Sequence, residues 1–423
     1  MHPGALLDLG TELLRAVLKF DQPADTVAAA FFRKHRGVGS RERHTLAETL
    51  YALLRQRLLF QHLAGQGKPS AGSVLERRLA MLAWQGTSVD LRRALGPHEV
   101  VWLEEVNRIE RTTLPDKLRH NLPDWLAAPL REKLGDEFLP LVDALAKPAP
   151  LDLRVNLLKA KREQALAALA EAGLTATPTP YSPWGLRLEG KPDLQKAAPF
   201  TEGWVEVQDE GSQLLALLTD AKRGEMVVDF CAGAGGKTLA LGAAMRNTGR
   251  LYAFDISGHR LDALKPRLAR SGLSNVHPVQ ISHERDDRVK RLAGKIDRVL
   301  VDAPCTGLGT LRRNPDLKWR QSPKTVAESQ VRQCAILAAA AKMLKPGGRL
   351  VYATCSLLAA ENEAVVEAFA AQAGRDFEPL EVADLLDEAG VAEAQSLTEG
   401  AWLRLWPHRH RTDGFFAAVW QRR

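Results

Sequence analysis

Three segments of this 423-residue chain carry side chains able to do chemistry. VDAPCTG holds Asp302 and Cys305, and VYATCS, fifty residues on, holds Cys355. A thiolate is a strong nucleophile that forms covalent intermediates, whereas most free cysteines are small buried apolar residues. Position separates the two cases. Both thiols follow apolar runs that read as strands, so each falls at a strand's carboxyl end, the ligand side of an open parallel sheet. Cys334, inside QCAILAAAA, reads as core. Upstream, VVDFCAGAGGKT runs from a strand through Gly233, Gly235 and Gly236 into a helix, with Cys231 and Ala232 lining the turn. Glycines let the backbone turn and approach a ligand, and the free amides of a first helical turn face a polar or anionic group.

The residues around that turn narrow the ligand. A phosphate-binding loop needs a glycine at the position of Cys231, so the GKT triplet does not complete one. Asp229 directly precedes the glycines, where a carboxylate suits a cation better than a pyrophosphate. Asp255 ends the next strand nineteen residues after Gly236, where a carboxylate accepts hydrogen bonds from ribose hydroxyls. S-adenosyl-L-methionine offers an ammonium, a ribose and an adenine; a nicotinamide cofactor is the rival. Ser282, His283 and Asp286, after the third strand, stand where adenine contacts fall, and spacing does not choose among them. Lys237 reads as a partner of Asp302, as a substrate contact, or as a solvated first-turn lysine.

A methyl acceptor that needs a thiol is carbon 5 of cytosine, which has no usable lone pair. A thiolate adding to carbon 6 pushes electron density to carbon 5, which takes the methyl. The carbon 5 proton then leaves, and an acid near ring nitrogen 3 neutralises charge during addition. Asp302 suits that position or the exocyclic amine. Spacing leaves open which cysteine attacks. A methyltransferase with another acceptor and a non-catalytic RNA-binding assembly factor remain alternatives.

The elements that must hold these groups fall into three regions. Residues 1–145 repeat apolar residues at helical spacing, which predicts an all-helical domain, with Ser40 and Ser73 as helix caps and Glu76 completing a capping box with Ser73. Pro148 and Pro150 end that pattern. Residues 146–210 predict a small α/β region around the helix REQALAALAEAG. Residues 211–423 alternate strands and helices, which predicts an α/β Rossmann-like fold with a mostly parallel sheet and a closing hairpin near 401–407 and 415–421.

Composition sets the wider expectations. At 45% apolar and 26% charged the chain is ordinary globular protein. The formal charge of +7, from 58 basic and 51 acidic residues, favours a polyanionic partner modestly. Arg312, Arg313, Lys318 and Arg320 cluster after Cys305 as phosphate contacts, with Arg154 and Asn156 as further channel residues. Four cysteines without a close pair predict no zinc or other metal and a reducing, cytoplasmic setting. No signal peptide, membrane span or obligate protein partner is evident.

Together these strings resemble the RsmB/Nop2/Sun family of RNA 5-methylcytosine methyltransferases. The resemblance spans roughly residues 150–423 and rests on LRVN, EVQDEGSQ, DFCAGAGGKT, DRVLVDAPCTGLGTLRRNPDLKW, ATCSLLAAENE and HRHRTDGFF. Its layout looks most like the bacterial branch acting on small-subunit ribosomal RNA, with a family member acting on tRNA or another ribosomal RNA site as the alternative. The resemblance implies a NusB-like helical domain that assists RNA binding. It implies Cys355 as the covalent nucleophile, Cys305 as the residue assisting release, Asp302 as the acidic base contact and Lys237 as the motif lysine. It also implies Asp229 and Asp255 as contacts to the cofactor's amino-acid portion and ribose, with Arg260 in support. The family often has an acidic residue directly at the end of the third strand; this chain has VQISHERDD, so Ser282 or Asp286 stands in for it. Glu363, in the ENE triplet, reads as the start of a helix.

Overall fold

A computed structural model describes residues 1–67 and 74–423. The expected Ser73 cap lies outside the described residues. The chain divides into two compact units, residues 1–148 with 311–323, and residues 149–310 with 324–423.

The first unit is helical: among the described residues, 1–148 hold ten α-helices, from Pro3–Val17 to Phe138–Leu145, and 311–323 add the short helix Leu317–Arg320. The opening helix shows why: Leu6, Leu7, Leu13, Leu14 and Val17 share one buried face and pack on Leu46, Leu50, Leu53 and Leu79. The helix Ser40–Arg55 begins one residue earlier than the expected cap requires. Extended Gly39 occupies the cap position and no side chain caps the helix there. The segment 311–323 belongs to this unit. Asp316 accepts the amide of Ala24 (3.2 Å), at the start of the helix Ala24–Lys34, from 292 residues away. The Trp319 indole donates to the Leu54 carbonyl (2.8 Å) and packs on the helical core.

The second unit contains two sheets. In the smaller, β1 (Leu151–Val155), β2 (Ala176–Pro178), β3 (Gly185–Leu188) and β4 (Val205–Val207) run antiparallel in the order β2-β3-β1-β4. Alternation along β1 turns Leu153 and Val155 into a core shared with the helix Arg162–Glu171 and leaves Asp152 and Arg154 on the other face.

The larger sheet has nine strands. They are β5 (Met226–Asp229), β6 (Arg250–Asp255), β7 (Val276–Gln280), β8 (Ile296–Asp302), β9 (Leu344–Thr354), β10 (Phe377–Leu380), β11 (Thr398–Glu399), β12 (Trp402–Leu405) and β13 (Phe415–Arg422). The order is β11-β12-β13-β9-β8-β5-β6-β7, with β10 also on β13. Strands β5 to β9 pair in parallel. The expectation of a mostly parallel sheet is corrected: β13 enters antiparallel beside β9 and collects β12 and β10 antiparallel, so the sheet is mixed. The β12–β13 hairpin pairs Leu403 with Ala417 and Leu405 with Phe415. From β5 the chain builds outward to β6 and β7, then crosses back to β8 and β9. Strand order therefore reverses between β5 and β8, and ligands bind outside such a reversal at the carboxyl edge.

Candidate active site

The two thiols meet at that edge. Parallel pairing sets Asp302 on β8 level with Ala353 on β9, so the loops that follow leave side by side. The Cys305 and Cys355 sulfurs are 3.4 Å apart, and both residues are half-buried. The hydrogen bond with Cys355, and burial after it, push the Cys305 thiol well up. Either sulfur of the pair can be the S–H donor.

Glu361 ties the two cysteine loops together. Its fully buried carboxylate accepts the Thr306 amide (2.8 Å) and hydroxyl (2.5 Å), the Ser356 hydroxyl (2.5 Å) and the Gln333 side-chain amide (3.2 Å). A buried carboxylate is costly unless donors surround it, and here they come from residues adjoining both cysteines. Gly309 brings the loops closer still. Its amide donates to the Cys355 carbonyl (2.8 Å), and a Cβ there would lie 2.1 Å from the Gly414 carbonyl oxygen.

Lys237, in the first turn of the helix Gly236–Ala244, donates to Asp302 at 2.7 Å. Burial alone would lower its pKa. The Asp302 carboxylate, with Cys355 and Asp229 nearby, outweighs burial and raises it. An ammonium thus stands close enough to Cys355 to interact with it. The second Asp302 oxygen has no hydrogen-bond partner among the described residues, and the side chain is 30% exposed.

The glycine turn forms the neighbouring part of the edge. Gly233 and Gly235 have φ of +56° and +83°, and a Cβ on Gly235 would meet Leu264 at 2.1 Å, so both its conformation and its packing require glycine. Ala232 donates its amide to Phe254 (2.8 Å). Burial pushes the Cys231 thiol well up, which keeps it protonated. Asp229 accepts the Thr238 hydroxyl on one oxygen (2.7 Å), while its other oxygen is buried without a partner. Burial pushes this carboxyl up to about 7. An orphaned carboxylate oxygen in such a place calls for a cationic ligand group. Asp255 accepts the amides of Gly233 (2.9 Å) and Ser257 (2.7 Å), which fixes its orientation at the end of β6.

Other expected residues contribute less. Arg260 is exposed in the first turn of the helix Gly258–Ser271, and Ser282 is exposed beyond β7. Asp286 folds back on the amides of Ser282 (3.0 Å) and Arg288 (2.9 Å), capping a short helix. Glu363 begins the helix Glu363–Ala373 and pairs with Arg404.

The expected RNA-contact set is corrected in part. Arg154 and Asn156 are only 2% and 5% exposed. Arg154 donates to Gln208 (2.6 Å), and Asn156 donates to the Gly203 (3.0 Å) and Ser271 (2.9 Å) carbonyls. These side chains hold β1 in place and do not face a channel. In the helical unit, Arg312 and Lys318 are buried, Arg313 and Arg320 half-buried. Arg320 lies 3.4 Å from Asp316.

Two residues escaped the sequence reasoning. Glu361 stood in the ENE triplet, but its role depends on Thr306, 55 positions away. Ile256 directly follows Asp255 and is 63% exposed, which no feature of the sequence signalled.

Comparison with known proteins places the chain among methyltransferases. The family model for 16S rRNA methyltransferase RsmB/F matches residues 216–421. A second, for an RsmF/B-like ferredoxin-like domain, matches residues 122–195. The probable ribosomal RNA small subunit methyltransferase B of a Synechocystis species is 40% identical over 71% of this chain and 66% of that protein, so the match spans a little under two thirds of that relative. A Mycobacterium tuberculosis protein, assigned by name alone to the methyltransferases, is 34% identical over 97% of this chain and 95% of its own length. The crystal structure of a methyltransferase homologue from Pyrococcus horikoshii superposes with a TM-score of 0.62 at 30% identity, over 74% of this chain and 100% of that one. The chain belongs to the 16S rRNA methyltransferase RsmB/F family.

Proposed function

We propose that this protein transfers a methyl group from S-adenosyl-L-methionine to carbon 5 of a cytosine in RNA, with small-subunit ribosomal RNA as substrate. The observation that carries the reading is the 3.4 Å approach of the Cys305 and Cys355 sulfurs beside the Lys237–Asp302 pair. An acceptor with its own lone pair needs neither thiol. The orphaned Asp229 oxygen and the oriented Asp255 carboxylate fit the ammonium and ribose of the cofactor, and exposed Ile256 offers an apolar face to its adenine. When bound, S-adenosylmethionine supplies the electrophilic methyl group.

The chain's own residues prepare the base. Cys355 adds as thiolate to carbon 6, and the carbon 5–carbon 6 π electrons shift into the ring. The Lys237 ammonium offsets the charge that develops, and the free Asp302 oxygen accepts from the exocyclic amine. Once carbon 5 carries the methyl, its proton leaves as a base takes it. The electrons of that C–H bond restore the double bond and expel the Cys355 sulfur. Cys305, 3.4 Å from the departing sulfur, is the thiol that assists release. Glu361 holds both loops through these steps. The target base must be unpaired or displaced to reach the edge. The helical unit is NusB-like in this reading and supports the RNA. The four free cysteines suit the reducing cytoplasm.

Site-resolved methyl mapping of total RNA, incubated with cofactor and either the active protein or Cys355→Ala, tests the reading. The expected result is one 5-methylcytosine in small-subunit ribosomal RNA, absent with the variant. Methylation of another atom, or unchanged methylation by Cys355→Ala, refutes it.

A further inference from the structure

The helical unit holds a cavity of about 370 Å³ with Leu59, Leu118 and Leu139 in its lining, within the size range of ligand sites. Arg55 and Lys318 line the same space, together with Arg111 and Arg119. Arg55 and Lys318 are only 8% and 7% exposed, while Arg111 and Arg119 are exposed. Neither buried cation is in a salt bridge among the described residues, and the Glu48 carboxylate acts on Arg55 only beyond ion-pair distance. Lys318 Nζ donates to the Arg55 carbonyl (2.9 Å), and Arg55 Nη2 donates to the Arg312 carbonyl (3.2 Å). Arg55 Nε is buried with no hydrogen-bond partner. Asp143 is the one acidic residue in the described lining, and it is exposed. Two buried cations side by side repel, and both have lost water. Burial, then the Arg55 guanidinium, push Lys318 down to about 7. An anion in the cavity removes each of these penalties.

We propose that this cavity binds a phosphate group of the RNA strand, with Arg55 and Lys318 as buried contacts, Arg111 and Arg119 as exposed ones, and the leucines against the attached nucleoside. A guanidinium and an ammonium together match the several acceptor oxygens of one phosphate. The proposal rests on RNA being the substrate, and the net charge of +7 favours a polyanion over a small neutral ligand.

The test measures binding of a labelled single-stranded oligoribonucleotide to the full chain across a salt series. Wild type, Lys318→Met and an Arg111→Gln/Arg119→Gln double variant are compared. Loss of one phosphate contact lowers the slope of log affinity against log salt by roughly 0.7 for a single strand. Lys318→Met is expected to show that loss and to weaken all RNA sequences alike. Inorganic phosphate is expected to compete with RNA on wild type and to lose that competition on Lys318→Met. An unchanged slope in Lys318→Met overturns the proposal. If that variant fails to melt cooperatively, the double variant decides, and an unchanged slope there overturns it equally. Phosphate that binds the cavity without displacing RNA assigns the site to free phosphate and also overturns it. Methyl transfer by wild type is followed in parallel. RNA methylated normally with an unchanged slope defeats only the cavity proposal, whereas no methylation of any RNA defeats the functional reading.

Discussion

Between pH 7 and pH 5.5, S-adenosylmethionine binding should weaken about fifteenfold through one residue, Asp229. Burial sets this carboxyl at about 7, with Asp302 adding to the shift and the Thr238 hydroxyl and Lys237 opposing it. About half the molecules then carry the carboxylate at pH 7 and about one in thirty at pH 5.5. The cofactor's ammonium pairs with the carboxylate and not with the acid, so affinity follows that fraction. The loss is about 1.6 kcal/mol. An α-amino group keeps its proton through this window, so the ligand's charge does not change. Titration calorimetry in buffers of different ionisation enthalpy reads both affinity and protons. At pH 7 binding should release roughly half a proton, because Asp229 must ionise to receive the cation. Asp229→Asn should bind weakly at every pH, with no slope. A flat wild-type affinity over this window, or the same slope in Asp229→Asn, would refute the reasoning.

Further outcomes follow from the same site. Because the folded pKa of Asp229 lies above its ordinary value, the ligand-free fold loses stability as pH rises from about 4 through 7. Asp229→Asn should therefore stabilise the ligand-free protein at pH 8, by at most on the order of 4 kcal/mol in urea unfolding, and a destabilised variant contradicts this. Glu361→Gln leaves the shape intact and keeps an oxygen toward the Thr306 and Gln333 amides, but it replaces the charged acceptor of the Thr306 and Ser356 hydroxyls with an –NH2 donor. It should cost roughly 2–3 kcal/mol and lower kcat while cofactor affinity holds; a stable, fully active variant would show that the clamp is dispensable. Gly309→Ala forces apart the Cys355 and Gly414 backbones, so single-turnover methyl transfer should collapse in a protein that still binds cofactor.

Much of the site was legible because its signals are local. Asp229 with the glycines after it, and Asp302 and Cys305 at the end of one apolar run, each occupy a few consecutive residues whose strand ends follow from periodicity. What escaped depends on partners distant in the chain. Arg154 and Asn156 are polar residues in a short strand, and nothing local says that Gln208 and the Ser271 carbonyl enclose them. Lys318 and Trp319 looked like part of an exposed basic run, yet the segment carrying them returns to helices formed some 260 positions earlier. The mixed sheet was hidden for a related reason. The β13 pattern predicts a strand but not its direction, and its antiparallel entry beside β9 is a tertiary choice. Ser40 shows the limit at small scale, since one residue's shift moved the cap to Gly39.

The covalent step can be observed by incubating RNA and cofactor with wild type, Cys355→Ala and Cys305→Ala, then separating the products by denaturing electrophoresis and sequencing any RNA-linked peptide by mass spectrometry. A long-lived adduct on Cys355 should accumulate in Cys305→Ala, and Cys355→Ala should yield neither adduct nor methylated RNA. An adduct that persists without Cys355 and disappears without Cys305 would exchange the roles of the two thiols and contradict the mechanism.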